Sequence, residues 1–141
     1  MTVDLERFVD AQAGTYAQAL VELREGRKRS HWMWFVFPQL AGLGRSEVSR
    51  FYGLGSLDDA RKYLAHPTLG PRLRAAARAI LDSGATDPEA ALGGIDAVKL
   101  RSSMTLFARA APDDPVFGAV LDRLYGGEFD AATDRLLDAT G

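Results

Sequence analysis

Trp32-Met33-Trp34-Phe35-Val36-Phe37 is the run of this sequence whose aromatic and β-branched composition suits a buried β-strand, and what becomes of it decides the fold. A strand needs partners for its backbone N–H and C=O groups. No second run of alternating or β-branched residues offers one. The segment is therefore expected to be a buried helical turn or an extended crossing segment. The remainder then reads as an all-α, single-domain bundle over residues 1–141, with about six to eight short helices around one aromatic segment.

Working outward, helix starts and stops follow one another closely. Upstream, Asp4 can cap a segment carrying Leu5, Phe8 and Val9, which Gly14 interrupts; Thr15 opens a second, with Gln18 at capping-box spacing and Gly26 as its stop. Downstream, Ser46 and Ser56 follow two Gly-Leu-Gly turns and cap a short helix ending near Tyr52 and a helix from Leu57 to Ala65. His66-Pro67 ends the latter, because a residue before proline is pushed out of the helical region. Pro71 suits a first helical position for Arg72 to Ser83, and Asp87-Pro88 starts a brief helix ending at Gly93-Gly94. Asp96 is placed to cap Ala97 to Ala111, where Leu100, Met104, Phe107, Ala108 and Ala111 form one apolar stripe. Asp114-Pro115 and Asp130 begin the last two helices.

Composition narrows the function classes. The chain is 47% hydrophobic and 26% charged, an ordinary globular mixture. Its longest apolar run, Trp32 to Pro38, falls far short of the ~20 residues that span a bilayer, so no membrane partner is expected. The N-terminal residues lack a signal-peptide pattern, and the expected location is cytoplasmic. Cysteine is absent, which removes thiol nucleophiles, disulfides and Cys-based metal sites; with two distant histidines, neither a metal nor a cofactor is expected. Seventeen basic against nineteen acidic residues disfavour bulk nucleic-acid binding. The one basic cluster, Arg24 to Arg29, reads either as a solvated helix end or as an anion-binding rim.

Two stretches could carry chemistry. Ser30 to Gln39 holds both tryptophans and His31, so Trp32 and Trp34 could wall a pocket for a planar ring, with His31 and Gln39 as polar contacts; packing in the core is the alternative. On the Asp96 helix, Lys99, Ser102 and Ser103 share a face beside the apolar stripe, whereas Arg101, Thr105 and Arg109 fall opposite, toward solvent. The ligand-binding set is then Arg27, Arg29, His31, Trp32, Trp34, Gln39, Lys99, Ser102 and Ser103, with the arginines attracting an anionic group. No hydrolase elbow, phosphate loop, His-Glu-x-x-His pair or dinucleotide turn is present.

The strings Leu5 to Gln12, Arg27 to Gln39, Tyr63 to Pro67 with Leu69 to Leu73, and Lys99 to Phe107 closely resemble a small bacterial family catalogued as domain of unknown function 1810, often mislabelled calpastatin. The resemblance implies an all-α fold like that of its mycobacterial member, and no established activity. A remoter similarity runs from the Pro38-Gln39 segment through Ser56-Leu57-Asp58-Asp59-Ala60-Arg61 and Gly70-Pro71-Arg72 to Lys99-Leu100-Arg101-Ser102-Ser103. It looks somewhat like enzymes that cleave N-glycosidic bonds of ADP-ribose-linked compounds, although the Gln-Asn pair of that family is replaced here by Ser102-Ser103.

Three functions follow as expectations. The first is a cytosolic domain binding a small anionic or nucleotide-like molecule in an aromatic-lined pocket. The second is an enzyme acting on an ADP-ribose- or nucleotide-linked N-glycosidic bond, with His31 as general acid or base. The third is a protein-interaction module using Phe117, Leu121, Tyr125 and Phe129, its partner unspecified.

Overall fold

The computed structural model describes residues 4–44 and 46–140, the side chain of Thr140 excepted. Ten helices lie among them: α1 (Glu6–Gln12), α2 (Tyr16–Glu25), α3 (Met33–Val36), α4 (Glu47–Phe51), α5 (Leu57–Ala65), α6 (Leu69–Asp82), α7 (Pro88–Leu92), α8 (Gly94–Ala110), α9 (Pro115–Tyr125) and α10 (Ala131–Thr140). The all-α expectation holds, but the count of six to eight is corrected to ten. The excess comes from pieces such as α3, α4 and α7, each of five residues or fewer. Helices this short gain little from propensity and persist through caps and packing.

Trp32–Phe37, the stretch open to a strand reading, closes instead into a buried turn of helix. The Val36 N–H donates to the Trp32 carbonyl at 3.1 Å and the Phe37 N–H to Met33 at 3.0 Å. Among the described residues the one sheet-like feature is an isolated parallel bridge, Leu40 with Leu54, which ties the loop after α3 to the loop before α5.

Ser46, Ser56, Asp87 and Asp114 cap their helices as read from the sequence, each side chain accepting from an amide of the first turn. Other starts shift. Thr15 donates its hydroxyl to the Ala11 carbonyl and caps nothing. Helix α6 begins at Leu69, so Pro71 sits inside the first turn, where its missing N–H costs no helical bond. Helix α8 begins at Gly94, placing Asp96 within the first turn and not at the cap. Gly26 ends α2 with φ 70°, a left-handed position that costs glycine little, and the Arg27 N–H then reaches back to the Glu22 carbonyl at 3.0 Å.

Helix α8 is the axis of the molecule, with α3, α5, α7, α9 and α10 packed around it. This enclosure overturns the half-solvated reading of α8: Thr105 is fully buried, and its hydroxyl accepts from the Asp130 amide at 2.8 Å. A line of rings fills the core, Phe8 edge-on to Tyr63 at 5.2 Å, then Phe107 and Phe117 at 5.5 and 5.7 Å spacings. Phe117 and Leu121, expected on an interaction patch, belong to this core. Tyr125 donates to the Ala97 carbonyl and Phe129 lies beneath the Arg109 guanidinium, so the four residues form no exposed apolar face. No helix of the described residues is long and apolar enough to cross a membrane.

Candidate functional site

Between the end of α2 and the start of α3 the chain runs extended, and its side chains alternate: Arg27, Arg29 and His31 are exposed, whereas Lys28, Ser30 and Trp32 turn inward. The Lys28 N–H donates to the Ala91 carbonyl of α7 at 2.8 Å, which sets this phase. The alternation sorts the candidates of the basic and aromatic stretch. Arg29 pairs with Glu25 at the surface at 2.7 Å, and the His31 imidazole has no hydrogen-bond partner among the described residues.

On the inner side lies a carboxylate that sequence reasoning passed over. Glu22 is 1% exposed and makes no ion pair among the described residues, yet its two oxygens accept five hydrogen bonds. The Arg29 and Ser30 amides and the Trp32 indole N–H reach Oε1 at 2.7, 3.0 and 3.0 Å; the Ser30 hydroxyl and the Gln18 amide reach Oε2 at 2.7 and 2.9 Å. Burial works against the charge, but these donors outweigh it and hold the carboxyl near 2, below its ordinary 4.5. Trp32, 1% exposed, is thereby fixed as a core side chain. A signal was present: Glu22 stands three residues after Ala19 and beside Leu23, on the apolar face of α2.

Next to this carboxylate, Lys28 and Lys99 converge on Asp96. Lys28 Nζ lies 2.9 Å from one oxygen of Asp96 and Lys99 Nζ 3.6 Å from the other, all three side chains being less than one-fifth exposed. The same two ammonium groups sit over the indoles, Lys28 5.4 Å from the Trp32 ring centroid and Lys99 4.4 Å from that of Trp34. Two cations share the Asp96 carboxylate, with the Trp32 indole between Lys28 and the Glu22 carboxylate. Trp34 is part-exposed, but its Nε1–H is buried and has no hydrogen-bond partner among the described residues; the same holds for the Ser103 hydroxyl, one turn after Lys99 on α8. Orphaned buried donors are uncommon and cost about 1–3 kcal/mol each.

Of the expected set, the fold sets Lys99 against Trp34 and adds Lys28 and Asp96, while Ser103 lies buried one turn along α8 from Lys99. Ser102 is turned away, its hydroxyl placed 3.2 Å from both Asp130 and the Val98 carbonyl. Gln39 lies in the loop after α3, its carbonyl accepting from Leu54 at 2.9 Å. Five surface grooves lie elsewhere, lined by other residues. Among the described residues no three His, Asp or Glu side chains gather as a metal-binding group.

The fold is similar to the crystal structure of the conserved hypothetical protein Rv1873 from Mycobacterium tuberculosis, with a TM-score of 0.93, 50% sequence identity and 96% of each chain covered. Among curated proteins none matches the chain. Over residues 2–137 the chain matches, and belongs to, the family described as protein of unknown function DUF1810.

Proposed function

We propose that the chain binds a small anionic, nucleotide-like molecule at the face formed by Lys28, Asp96, Lys99 and Trp34. The observation that carries this reading is the convergence of two lysines on the single Asp96 carboxylate, with Lys99 set against the part-exposed Trp34. An anionic group placed there pairs with the lysines, while the part-exposed Trp34 offers an aromatic edge to a planar base. Trp32 supports the site from behind by its bond to Glu22 and does not touch the ligand. His31 is exposed on the opposite phase of the strand-like segment and is not part of this reading.

Fluorescence titration with AMP and with ADP-ribose tests the proposal. Because Trp32 is sealed, quenching is expected to come from Trp34, to vanish in Trp34→Phe, and to weaken at least tenfold in Lys99→Ala. A ligand at one hundred times its Kd also raises stability by about 2.7 kcal/mol in a thermal shift. Silence with both nucleotides, or a response that Lys99→Ala leaves intact, rejects it.

A further inference from the structure

A second cationic surface lies on another face, between α2 and α6. These helices run side by side in the same direction: the Tyr16 hydroxyl donates to the Arg72 carbonyl near one end, and at the other a Cβ on Gly26 would come within 3.3 Å of Ser83 Oγ. The groove along them has a volume of about 450 Å³. Its floor is Pro71, Ala75 and Ala79, and its polar walls are Arg24 of α2 with Arg74, Arg78 and Asp82 of α6. From Pro71 to Asp82 the helix rises roughly 16 Å, so the groove is several times longer than one phosphate group.

The arginines are poorly neutralised. The Arg24 and Arg78 side chains make no hydrogen bond or close ion pair among the described residues, although Arg78 lies near enough to Asp114 to help hold its carboxyl below the usual range. Arg74 is held by Asp114, its Nε donating to Oδ2 at 2.7 Å, and that carboxylate is itself occupied in capping α9. The Nε contact fixes the orientation of the Arg74 fork while leaving its two terminal nitrogens unbonded. Three guanidinium groups thus face two carboxylates, Asp82 and Asp114, in a chain whose net charge is −2. A local cationic excess on an acidic protein focuses anions toward the groove.

We infer that this groove binds a phosphorylated, hydroxylated small molecule of sugar-phosphate size, its phosphate between Arg24, Arg74 and Arg78 and a hydroxyl directed to Asp82. Guanidinium forks match phosphate oxygens in pairs. The alanine and proline floor carries the carbon skeleton, and the Asp82 carboxylate accepts from a hydroxyl while repelling a second phosphate at that end. The site is separate from the Lys99 face and stands or falls independently of it.

Ribose 5-phosphate is the probe, titrated into the whole chain at low ionic strength and followed by NMR of the arginine Nε–H and the Ala75 and Ala79 amide signals. The expected result is a saturable shift whose Kd rises at least tenfold in Arg78→Gln and which disappears in the Arg24→Gln/Arg78→Gln double variant, with Lys99→Ala binding as tightly as the parent. Both arginines are exposed, and an unchanged circular dichroism spectrum confirms that the variants are folded. Inorganic sulfate, lacking the skeleton and hydroxyls, should bind at least tenfold more weakly. The inference is overturned by the absence of shifts, by sulfate binding as well as the sugar phosphate, or by binding that persists in the double variant.

Discussion

Glu22 holds a charge out of water by hydrogen bonds and without an ion pair, which makes it a stability determinant that responds to pH. Its carboxyl titrates near 2 in the folded chain and near 4.5 in the unfolded one, so the unfolded state takes up the proton first as pH falls. The stabilisation is fully present above about 4.5 and is lost progressively between 4.5 and 2. Glu22→Gln replaces one acceptor oxygen by a donor that faces other donors. It is expected to lower stability by about 2–3 kcal/mol at pH 7 in urea unfolding, and to flatten the pH dependence between 4.5 and 2. A variant with the parent's acid profile would mean that Glu22 is not the titrating group. Ser103→Ala tests the opposite case: removing a buried hydroxyl that has no partner is expected to be neutral or to stabilise by up to about 1 kcal/mol, read as a change in Tm. At this scale the sequence was least legible. Residue type singled out Lys99 and Trp34, which the fold sets against each other, but Arg27, Lys28 and Arg29 are chemically alike, and the hydrogen bond from the Lys28 amide to Ala91 decides which of them turns inward.

Helix ends were far more legible, because a cap is a contact between residues two or three apart and leaves its mark in the sequence. Ser46, Ser56, Asp87 and Asp114 all cap as the pattern demands. Thr15 stands at the start of α2 but bonds back to Ala11, and the starts of α6 and α8 move to Leu69, where the His66 ring accepts from the Thr68 and Leu69 amides, and to Gly94. Asp96 is the instructive case, since its carboxylate is drawn to two lysines and leaves the start of α8 to Gly93. The close approach of α5 and α6 was invisible for the same reason. A Cβ built on Gly70 would stand only 2.1 Å from the Leu64 carbonyl oxygen, a backbone atom that cannot swing aside. Gly70→Ala is therefore expected to cost about 2–3 kcal/mol despite alanine's better helix propensity, measured by thermal unfolding. A neutral result would show that α5 and α6 can separate freely. Asp114→Ala removes both a cap and the anchor of Arg74 and is expected to cost about 1–2 kcal/mol by the same measurement.

The enclosure of α8 governs the molecule as a whole. Its buried residues from Ala97 to Ala110 lie on all sides of the helix, so each surrounding helix loses packing if α8 is displaced. The buried apolar residues from Phe8 to Leu124 form one hydrophobic cluster, with no gap that would let one half melt alone. Single-domain behaviour then becomes a measurable expectation. Both tryptophans report on the junction of α2, α3 and α8, whereas far-ultraviolet circular dichroism reports on all the helices, including α9 and α10 far along the chain. In denaturant the two signals are expected to follow one superimposable transition, with a calorimetric unfolding enthalpy of about 100 kcal/mol for a chain of 141 residues. A fluorescence transition that precedes the loss of helix would place the Glu22–Trp32 junction in a separate cooperative unit. The chain would then consist of a stable α8–α9 core and an N-terminal layer able to open at the Lys99 face without unfolding the rest.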